Sequence, residues 1–524
     1  MKQACLAAAV CEFLGAVLVG ARVSDTIKNG IIKIAVFQGN AGVQLLAFVC
    51  AITVSATWLM ICTRMSWPVS TTYSIISAVA GVGVAIGGVD SVNWGWNKGK
   101  GLATIFSGLL IAPAISAGFA SICYLTVKYG LLKRKNPVLW TLIFSPIVFF
   151  TVTAVLTMSI IYKGAPSLGL NKKSKKVTAL AIVGSALVIA ALSIIFWLPY
   201  VYCKVIRKDY NIRFYHFFLG PLLWMRAPPP DVDALAADSA VPDYRIVKEE
   251  HHQAAHQSDE ESANEKSEPR GPIQHASPLS DQVEKDPHPI EGAWAEPKNL
   301  WIIVRYKAFP FIKKALTHGT TIDIHAAQAG KAGSAEGRRI AEMYSRAKQY
   351  PNEVEHLFSF VQVLTACTAS FAHGSNDVSN AIGPFAVIYH VWKTGTPSSA
   401  KSPVPIWTLA FGGAMIVLGL ATYGYNIMKV LGNKITLHSP SRGFSMELGA
   451  AITVVLASQY GLPVSTTMCI TGATMGVALC NGDLRSVNWR ALGWIFLGWI
   501  LTVPVVGTLS GCLMGIILNA PHFA

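Results

Sequence analysis

One short stretch of this 524-residue chain occurs twice. Pro68-Val69-Ser70-Thr71-Thr72 returns 395 residues later as Pro463-Val464-Ser465-Thr466-Thr467, and Ser91-Val92-Asn93-Trp94 returns at the same spacing as Ser486-Val487-Asn488-Trp489. Two separate motifs that recur at one spacing indicate an internal duplication. Because both copies lie in strongly apolar sequence and carry small, hydroxylated and helix-breaking residues at matched places, the pattern is typical of membrane transporters built from two halves.

The composition agrees with a membrane protein. Hydrophobic residues make up 52% of the chain and charged residues only 14%, with a mean hydropathy of +0.44. Several charge-free runs reach the ~20 residues that a helix needs to cross a bilayer. Counted outward from the polar stretch in the middle of the chain, six hydrophobic segments precede it and five follow, about 11 in all, near 3–27, 34–63, 65–89, 101–127, 139–162, 177–203, 357–391, 404–430, 443–460, 463–480 and 489–519.

The order of these segments predicts how the two copies are related. The repeat extends upstream, since Leu14-Gly15 and Gly20 match Leu418-Gly419 and Gly424. The matched segments are first and eighth in order, so the copies run in opposite directions if every segment crosses once. We therefore expect an all-α polytopic membrane protein with two inverted-topology repeats and broken helices.

Charge and cysteine usage exclude other classes. The formal net charge is +15, but the basic residues fall in short loops such as 133–135 and 172–176, which indicates lipid headgroups or topology signals and not nucleic acid. The ten cysteines lie almost wholly in apolar runs without a CxxC pair. They therefore predict neither a disulfide framework nor a metal site.

Composition also divides the chain into four parts. Residues 1–127 form the first repeat, 128–226 two intervening spans, 227–356 a hydrophilic and largely disordered loop, and 357–524 the second repeat. Within the loop, 301–355 is basic and partly helical, and Phe309, Phe311 and Ile312 give it an amphipathic character. It either lies along the membrane surface or is an ordinary solvated linker.

The first copy lacks a counterpart of the segment that opens the second. That segment, 357–392, contains the polar stretch from His373 to Pro384, and its partner would precede residue 1. We therefore expect an N-terminal truncation, through a gene-model boundary or a real loss. Upstream reading-frame sequence without such a motif would contradict the first explanation.

Three carboxylates lie inside apolar segments: Glu12, Asp377 and Glu447. A charged side chain at the bilayer centre costs roughly 2.5 to 3.5 kcal/mol on insertion scales, so it is expected to face a polar pathway and a partner. Coupling cations are the natural partner. The alternative is a carboxylate satisfied by a neighbouring helix or placed at the interface.

The two Pro-Val-Ser-Thr-Thr copies predict helix starts. Proline is tolerated in a first helical turn, and hydroxyl groups cap free N–H groups. A helix N-terminus presents N–H donors and a partial positive charge, which suits an oxyanion. The predicted anion-binding residues are Ser70, Thr71, Thr72, Ser465, Thr466 and Thr467. The alternative is a proline kink whose hydroxyls bond back to the preceding turn.

The stretch Gly374-Ser375-Asn376-Asp377-Val378-Ser379-Asn380 predicts a small-residue break bordered by apolar runs. Asn376 and Asn380 supply donors for an oxyanion and carbonyl oxygens for a cation, while Asp377 supplies charge. Oxygen-rich sites of this kind bind hard cations such as sodium. An ordinary Asn-Asp loop is the alternative.

At these residues the chain closely resembles the inorganic phosphate transporter (PiT) family, whose halves carry G-A-N-D-V-A-N-A and P-V-S-T-T-H motifs. The resemblance covers nearly the whole chain apart from the polar insert. It implies cation-coupled phosphate symport, a cytosolic hydrophilic loop, and membrane glutamates linked to transport at Glu12 and Glu447. The long insert is similar to that of the sodium-coupled branch.

The chain departs from the family pattern at three places. Ser375 replaces the motif alanine, and Tyr73 and Met468 replace the two histidines that follow Ser-Thr-Thr. The first Asn-Asp motif is missing, which removes half of the expected substrate site if the chain is complete.

Together these observations predict a multi-pass symporter, placed in the plasma membrane, that moves phosphate with sodium by alternating access at the repeat interface. No cofactor besides the coupling ion is expected, and no nucleic acid; the sequence leaves open proton coupling and a homo-oligomer. Sulfate or another oxyanion is a second substrate class, and a membrane sensor without flux a different function. An enzyme is not expected, because no nucleophile, base and orienting residue cluster together. His373 is a lone candidate and is more simply interpreted as lining the site or lying at the interface.

Overall fold

The computed structural model describes residues 2–96, 101–163, 174–209, 211–227, 296–321, 334–399, 402–459 and 462–520. The predicted disordered loop falls largely outside this part of the chain. Within it the regular structure is helical, apart from one isolated β-bridge between Ile32 and Val92. The helices are α1 (Lys2–Val19), α2 (Ala21–Gly30), α3 (Ala41–Arg64), α4 (Thr71–Gly87), α5 (Leu102–Val127), α6 (Pro137–Lys163), α7 (Lys175–Leu192), α8 (Ala335–Arg346), α9 (Asn352–Thr394), α10 (Ile406–Thr422), α11 (Tyr425–Asn433), α12 (Pro440–Gln459), α13 (Thr466–Leu479) and α14 (Trp489–Leu518).

Shorter helical pieces complete the set. α7 continues through Leu198–Val201 as far as Ile206, and 3₁₀ turns cover Ile34–Phe37 and Phe214–Met225. Between α7 and α8, the consecutive helices Pro297–Ile302, Ile303–Ala308 and Phe309–Leu316 are followed by His318–Thr321. We call the continuous stretch 297–316 the loop helix.

The lengths of the helices confirm a multi-pass membrane protein. Among the described residues, six helices are long and apolar enough to cross a bilayer, and α10 with α11, bent by 59°, makes a seventh if the pair is one span. The predicted eleven segments all appear as helices. However, α4 and α13, with 17 and 14 residues, are too short to span alone. The number of complete crossings is therefore smaller than the number of apolar segments.

The helix breaks fall at matched places in the two copies. α3 ends at Arg64 and α12 at Gln459, while α4 begins at Thr71 and α13 at Thr466. In each copy proline keeps the connection extended, and the following serine caps the new helix. The predicted broken helices are therefore confirmed, and the opposite direction of the copies stays a prediction.

Each short helix packs against the last helix of the other copy. Ser510 Oγ of α14 donates to the carbonyl of Ala78 in α4 at 2.8 Å, and Ser116 Oγ of α5 donates to the carbonyl of Cys469 in α13 at 2.7 Å. Such bonds require close backbone approach, which small residues allow. The two copies are thus interlocked, and the connections that lead into α4 and α13 come together inside the protein.

Candidate functional site

The polar stretch of the second copy lies on a continuous helix. We predicted a break at Gly374–Asn380, but α9 runs without interruption from Asn352 to Thr394. The small residue serves packing instead: a Cβ at Gly374 would lie 2.3 Å from the backbone oxygen of Glu12 in α1. Helical geometry then places Asn376 and Asn380 one turn apart beside Asp377, so all three side chains reach one region.

Asp377 is the centre of the site. Thr71 Oγ1 donates to its Oδ1 at 2.7 Å, and Thr466 Oγ1 donates to its Oδ2 at 2.6 Å. These threonines occupy equivalent positions of the repeated motif. Each copy therefore contributes one hydroxyl to one oxygen of the same carboxylate, whose side chain is only 7% exposed. The two motifs, 395 residues apart in sequence, meet at this point.

The two asparagines surround this carboxylate with further polar groups. Asn380 Nδ2 donates to Asp377 Oδ1 at 2.9 Å and to the hydroxyls of Thr71 and Thr72 at 3.0 and 3.1 Å. Asn376 Nδ2 donates to the carbonyl of Val464 at 2.8 Å. The Oδ1 atoms of both asparagines are buried without a hydrogen-bond partner. Unpaired buried oxygens are costly, and a cation would satisfy them.

The serines of the motif cap the N-termini of α4 and α13. Ser70 Oγ accepts from the N–H of Tyr73 at 3.2 Å, and Ser465 Oγ accepts from the N–H of Met468 at 3.3 Å. Both are N-caps, which leaves the first-turn N–H groups of α4 and α13 near the carboxylate. Thr467 is half-buried at the equivalent of Thr72. The capping predicted for the repeated hydroxyls is therefore present.

A histidine links two of the predicted carboxylates. His373 Nδ1 lies 2.8 Å from Glu12 Oε2, and His373 Nε2 lies 3.5 Å from Asp377 Oδ2. The sequence predicted only that His373 lines the site or lies at the interface. Its spacing of four residues from Asp377 on one helix was the available signal, because such a spacing places both side chains on one face.

Glu447 lies apart from this centre. Its carboxylate accepts from Thr365 Oγ1 at 2.6 Å and from Gln362 Nε2 at 3.4 Å. Thr365 precedes Asp377 by more than three turns, or about 18 Å along the axis of α9. The three predicted cation-binding carboxylates thus occupy two places, Glu12 and Asp377 in one and Glu447 in the other.

The helix dipoles at the centre favour a negative charge. The N-termini of α4 and α13 approach Asp377 from the two copies, and each carries roughly half a positive charge. No basic side chain is paired with Asp377 other than His373 among the ion pairs of the described residues. The site therefore holds one carboxylate by hydroxyls and dipoles, with unsatisfied oxygens close by.

Comparison with known proteins identifies the family of the chain. A family model described as the phosphate transporter family (PHO4) matches residues 1–510. The chain belongs to the phosphate transporter family. A Neurospora crassa relative, "Phosphate-repressible phosphate permease pho-4", is 41% identical over 99% of this chain and 92% of its own length. "Sodium-dependent phosphate transporter 1" of Felis catus is 28% identical over 98% and 90%.

A solved structure shares the fold. The chain described as "The sodium-dependent phosphate transporter" superposes with a TM-score of 0.62 at 24% identity, covering 99% of this chain and 90% of that one. The resemblance to the PiT family that the motifs indicated is thereby confirmed. The family is one of transporters, which agrees with the expectation that the chain is not an enzyme.

The two departures after Ser-Thr-Thr have a structural explanation in this phosphate transporter family member. Tyr73 and Met468 are each 1% exposed and belong to the hydrophobic core. Tyr73 donates its hydroxyl to the carbonyl of Ile105 at 3.1 Å. Both side chains thus occupy the third helical position and make packing contacts in the core.

Proposed function

We propose that this chain is a symporter that moves inorganic phosphate across a membrane together with a cation, sodium in the first instance. The observation that carries the proposal is the Asp377 carboxylate, held by Thr71 and Thr466 from the two copies. A buried charge at the junction of two repeats is typical of a coupling site. The plasma membrane is the proposed location.

The cation would bind at Asp377. The carboxylate and the unpaired Oδ1 atoms of Asn376 and Asn380 form an oxygen-rich set of the kind that hard cations prefer. Glu12 would add a second negative charge through His373. Glu447, further along α9, would serve a separate cation or a later step.

Phosphate would bind next to the cation. A bare Asp377 would repel a phosphate at 4 Å by about 4 kcal/mol at an effective dielectric constant of 20. It would also keep the hydroxyls of Thr71 and Thr466 occupied. A bound cation would remove the repulsion and free both hydroxyls, with the first-turn N–H groups, for the oxyanion. Phosphate binding would therefore depend on the cation, which is the requirement of symport.

Alternating access fits the way in which the two copies share the site. Asp377 belongs to the second copy, but half of its hydroxyl donors come from the first. A relative movement of the copies would therefore change the site directly, without a separate transmitting element. The short helices α4 and α13 begin at the site, and in an inverted repeat they would give it access from opposite directions.

The choice of sodium rests on relatives that are named sodium-dependent phosphate transporters. Proton coupling is the second candidate, and one observation favours it: His373 lies between Glu12 and Asp377 at 2.8 and 3.5 Å. Histidine is a side chain that can bind and release a proton, so a ring held between two carboxylates could carry the coupling proton. The two candidates differ in which gradient drives uptake.

Uptake into vesicles tests the proposal. The purified protein in liposomes should accumulate labelled phosphate when sodium is higher outside, and much less when potassium replaces it at equal pH. If a proton gradient alone drives as much uptake as the sodium gradient does, the coupling ion would be a proton carried by His373. Excess sulfate should compete weakly; full competition would favour the general oxyanion reading. Binding without net flux would support a sensor and refute transport.

A further inference from the structure

Two amphipathic basic helices lie in the connection between α7 and α9, and they differ in what covers their apolar faces. α8 is covered by the protein: Met343, Tyr344 and Ala347 are buried and form a small core with Leu437. The loop helix is not. Trp301, Phe309, Ile312 and Leu316 are 55%, 63%, 51% and 43% exposed.

Three of these exposed side chains form one stripe. Phe309, Ile312 and Leu316 are spaced by three and four residues within the α-helix Phe309–Leu316, which places them along one side of it, and Trp301 lies before the π-helical segment Ile303–Ala308. Phe311, 72% exposed, lies beside the stripe. Bulky aromatic and aliphatic groups concentrated in this way on a basic helix indicate a partner. Within the described part of the chain, the protein does not bury them.

The charge of the loop helix selects the kind of partner. The stretch 297–316 contains five basic residues and no acidic one. Arg305 lies over the ring of Trp301 at 5.1 Å, and Lys313 and Lys314 are exposed in the last turns. A wide apolar stripe flanked by lysine and arginine is the pattern of helices that lie in the headgroup region of anionic bilayers.

The position of the loop helix agrees with this partner. The turn that follows it packs on the end of α10, where a Cβ at Gly319 would lie 2.7 Å from the carbonyl oxygens of Ala421 and Thr422. The ring of His318 lies 5.9 Å from that of Tyr425 in α11. α10 alone, with 17 residues, covers about 25 Å of a hydrocarbon core of about 30 Å, so a bend at its end fits a place near one face of the membrane.

We propose that the loop helix binds the surface of an anionic phospholipid bilayer, with Phe309, Ile312 and Leu316 in the acyl boundary and its lysines at the headgroups. Bound in this way, it ties the bend between α10 and α11 to the membrane surface. The rest of the hydrophilic connection is then held close to the bilayer at this end.

Hydrogen exchange of the full chain tests the proposal, with α8 as an internal standard. Both helices lie in the same connection without an apolar run between them, so they are on the same side of the membrane. The protein is placed in vesicles of phosphatidylcholine alone or with added phosphatidylglycerol. We expect amides of 309–316 to exchange at least tenfold more slowly in the anionic vesicles, while those of 335–346 stay unchanged.

A charge reversal sharpens the test. Each basic residue near an anionic surface contributes about a fivefold change in binding. Lys313→Glu with Lys314→Glu should therefore weaken binding to the anionic vesicles at least about 25-fold and remove most of the lipid-dependent protection. The matched control, Arg338→Glu with Arg339→Glu on α8, should keep it. Phe309→Ser with Ile312→Ser should weaken protection in both kinds of vesicle.

Three results would overturn the proposal. The first is equal exchange of the loop helix in both kinds of vesicle. The second is full lipid-dependent protection in the Lys313/Lys314 double variant. The third is protection that follows the protein-to-lipid ratio and not the phosphatidylglycerol content, which would assign the apolar stripe to a second copy of the chain.

Discussion

Replacing Asp377 by asparagine removes the charge of the site and keeps its shape. The side chain accepts from Thr71, Thr466 and Asn380 at 2.7, 2.6 and 2.9 Å. A threonine hydroxyl that donates to the carboxylate can rotate and accept a hydrogen bond from the amide that replaces it. The loss of charge-assisted bonds is offset in part because a buried charge no longer has to be desolvated. We therefore expect the free energy of unfolding to change by no more than about 2 kcal/mol.

The effect on cation binding should be much larger. A unit charge about 4 Å from sodium contributes about 4 kcal/mol at an effective dielectric constant of 20. Its loss in Asp377→Asn raises the half-saturating sodium concentration about 1,000-fold. At ordinary sodium concentrations, the variant should therefore show almost no sodium-driven uptake. In the absence of sodium, the variant should bind phosphate as tightly as the wild type or more tightly, because the carboxylate that repels phosphate is gone.

Two measurements separate these expectations. Labelled phosphate uptake into liposomes is recorded over a series of sodium concentrations, and thermal unfolding in detergent records stability. Asp90→Asn, at an exposed residue, is the matched control and should behave like the wild type. A variant at Asp377 with an unchanged sodium dependence and normal unfolding temperature would refute the assignment of this carboxylate to the coupling ion.

Three further predictions concern the surroundings of the site. Thr71→Ala and Thr466→Ala each leave one carboxylate oxygen without its hydroxyl donor, so both should lower the rate of uptake by a similar factor of about 10 to 30; a large effect of only one would contradict the equivalence of the two copies. Gly476→Ala directs a Cβ to 2.4 Å from a backbone oxygen of α5, so its unfolding temperature should fall by several degrees, whereas Gly419→Ala, with open space around it, should not lower it. Glu447→Gln keeps the hydrogen-bonding shape beside Thr365, and if this carboxylate binds a separate cation, the steepness of the sodium dependence should decrease while phosphate affinity stays within about threefold; an unchanged steepness would remove Glu447 from the cation sites.

Local chemistry made several features predictable from the sequence. Proline followed by Ser-Thr-Thr specifies an extended connection and a capped helix start, because proline fixes the backbone and serine accepts a first-turn N–H. Both starts are found at Thr71 and Thr466. Long apolar runs specify helices, because backbone groups in hydrocarbon must pair within their own segment.

One prediction from local chemistry, the helix break at Gly374–Asn380, was wrong. The small and polar residues from Gly374 to Asn380 resemble a turn, yet α9 continues through them. In an isolated peptide such residues favour breaks, but here the approach of α1 at Gly374 replaces water with close packing and keeps the backbone bonds helical. Tertiary contact therefore overrode intrinsic preference.

The sequence by itself determined that the chain crosses a membrane, that it contains two copies of one unit, and which hydroxyl, amide and carboxylate groups lie in apolar surroundings. Only the tertiary structure decided that Thr71 and Thr466 share the carboxylate of Asp377, that His373 joins it to Glu12, and that Glu447 stands apart with Thr365. The physical reason is that spacing along the chain defines helices and their faces, whereas the partners of a buried charge are chosen by how helices from the two copies cross.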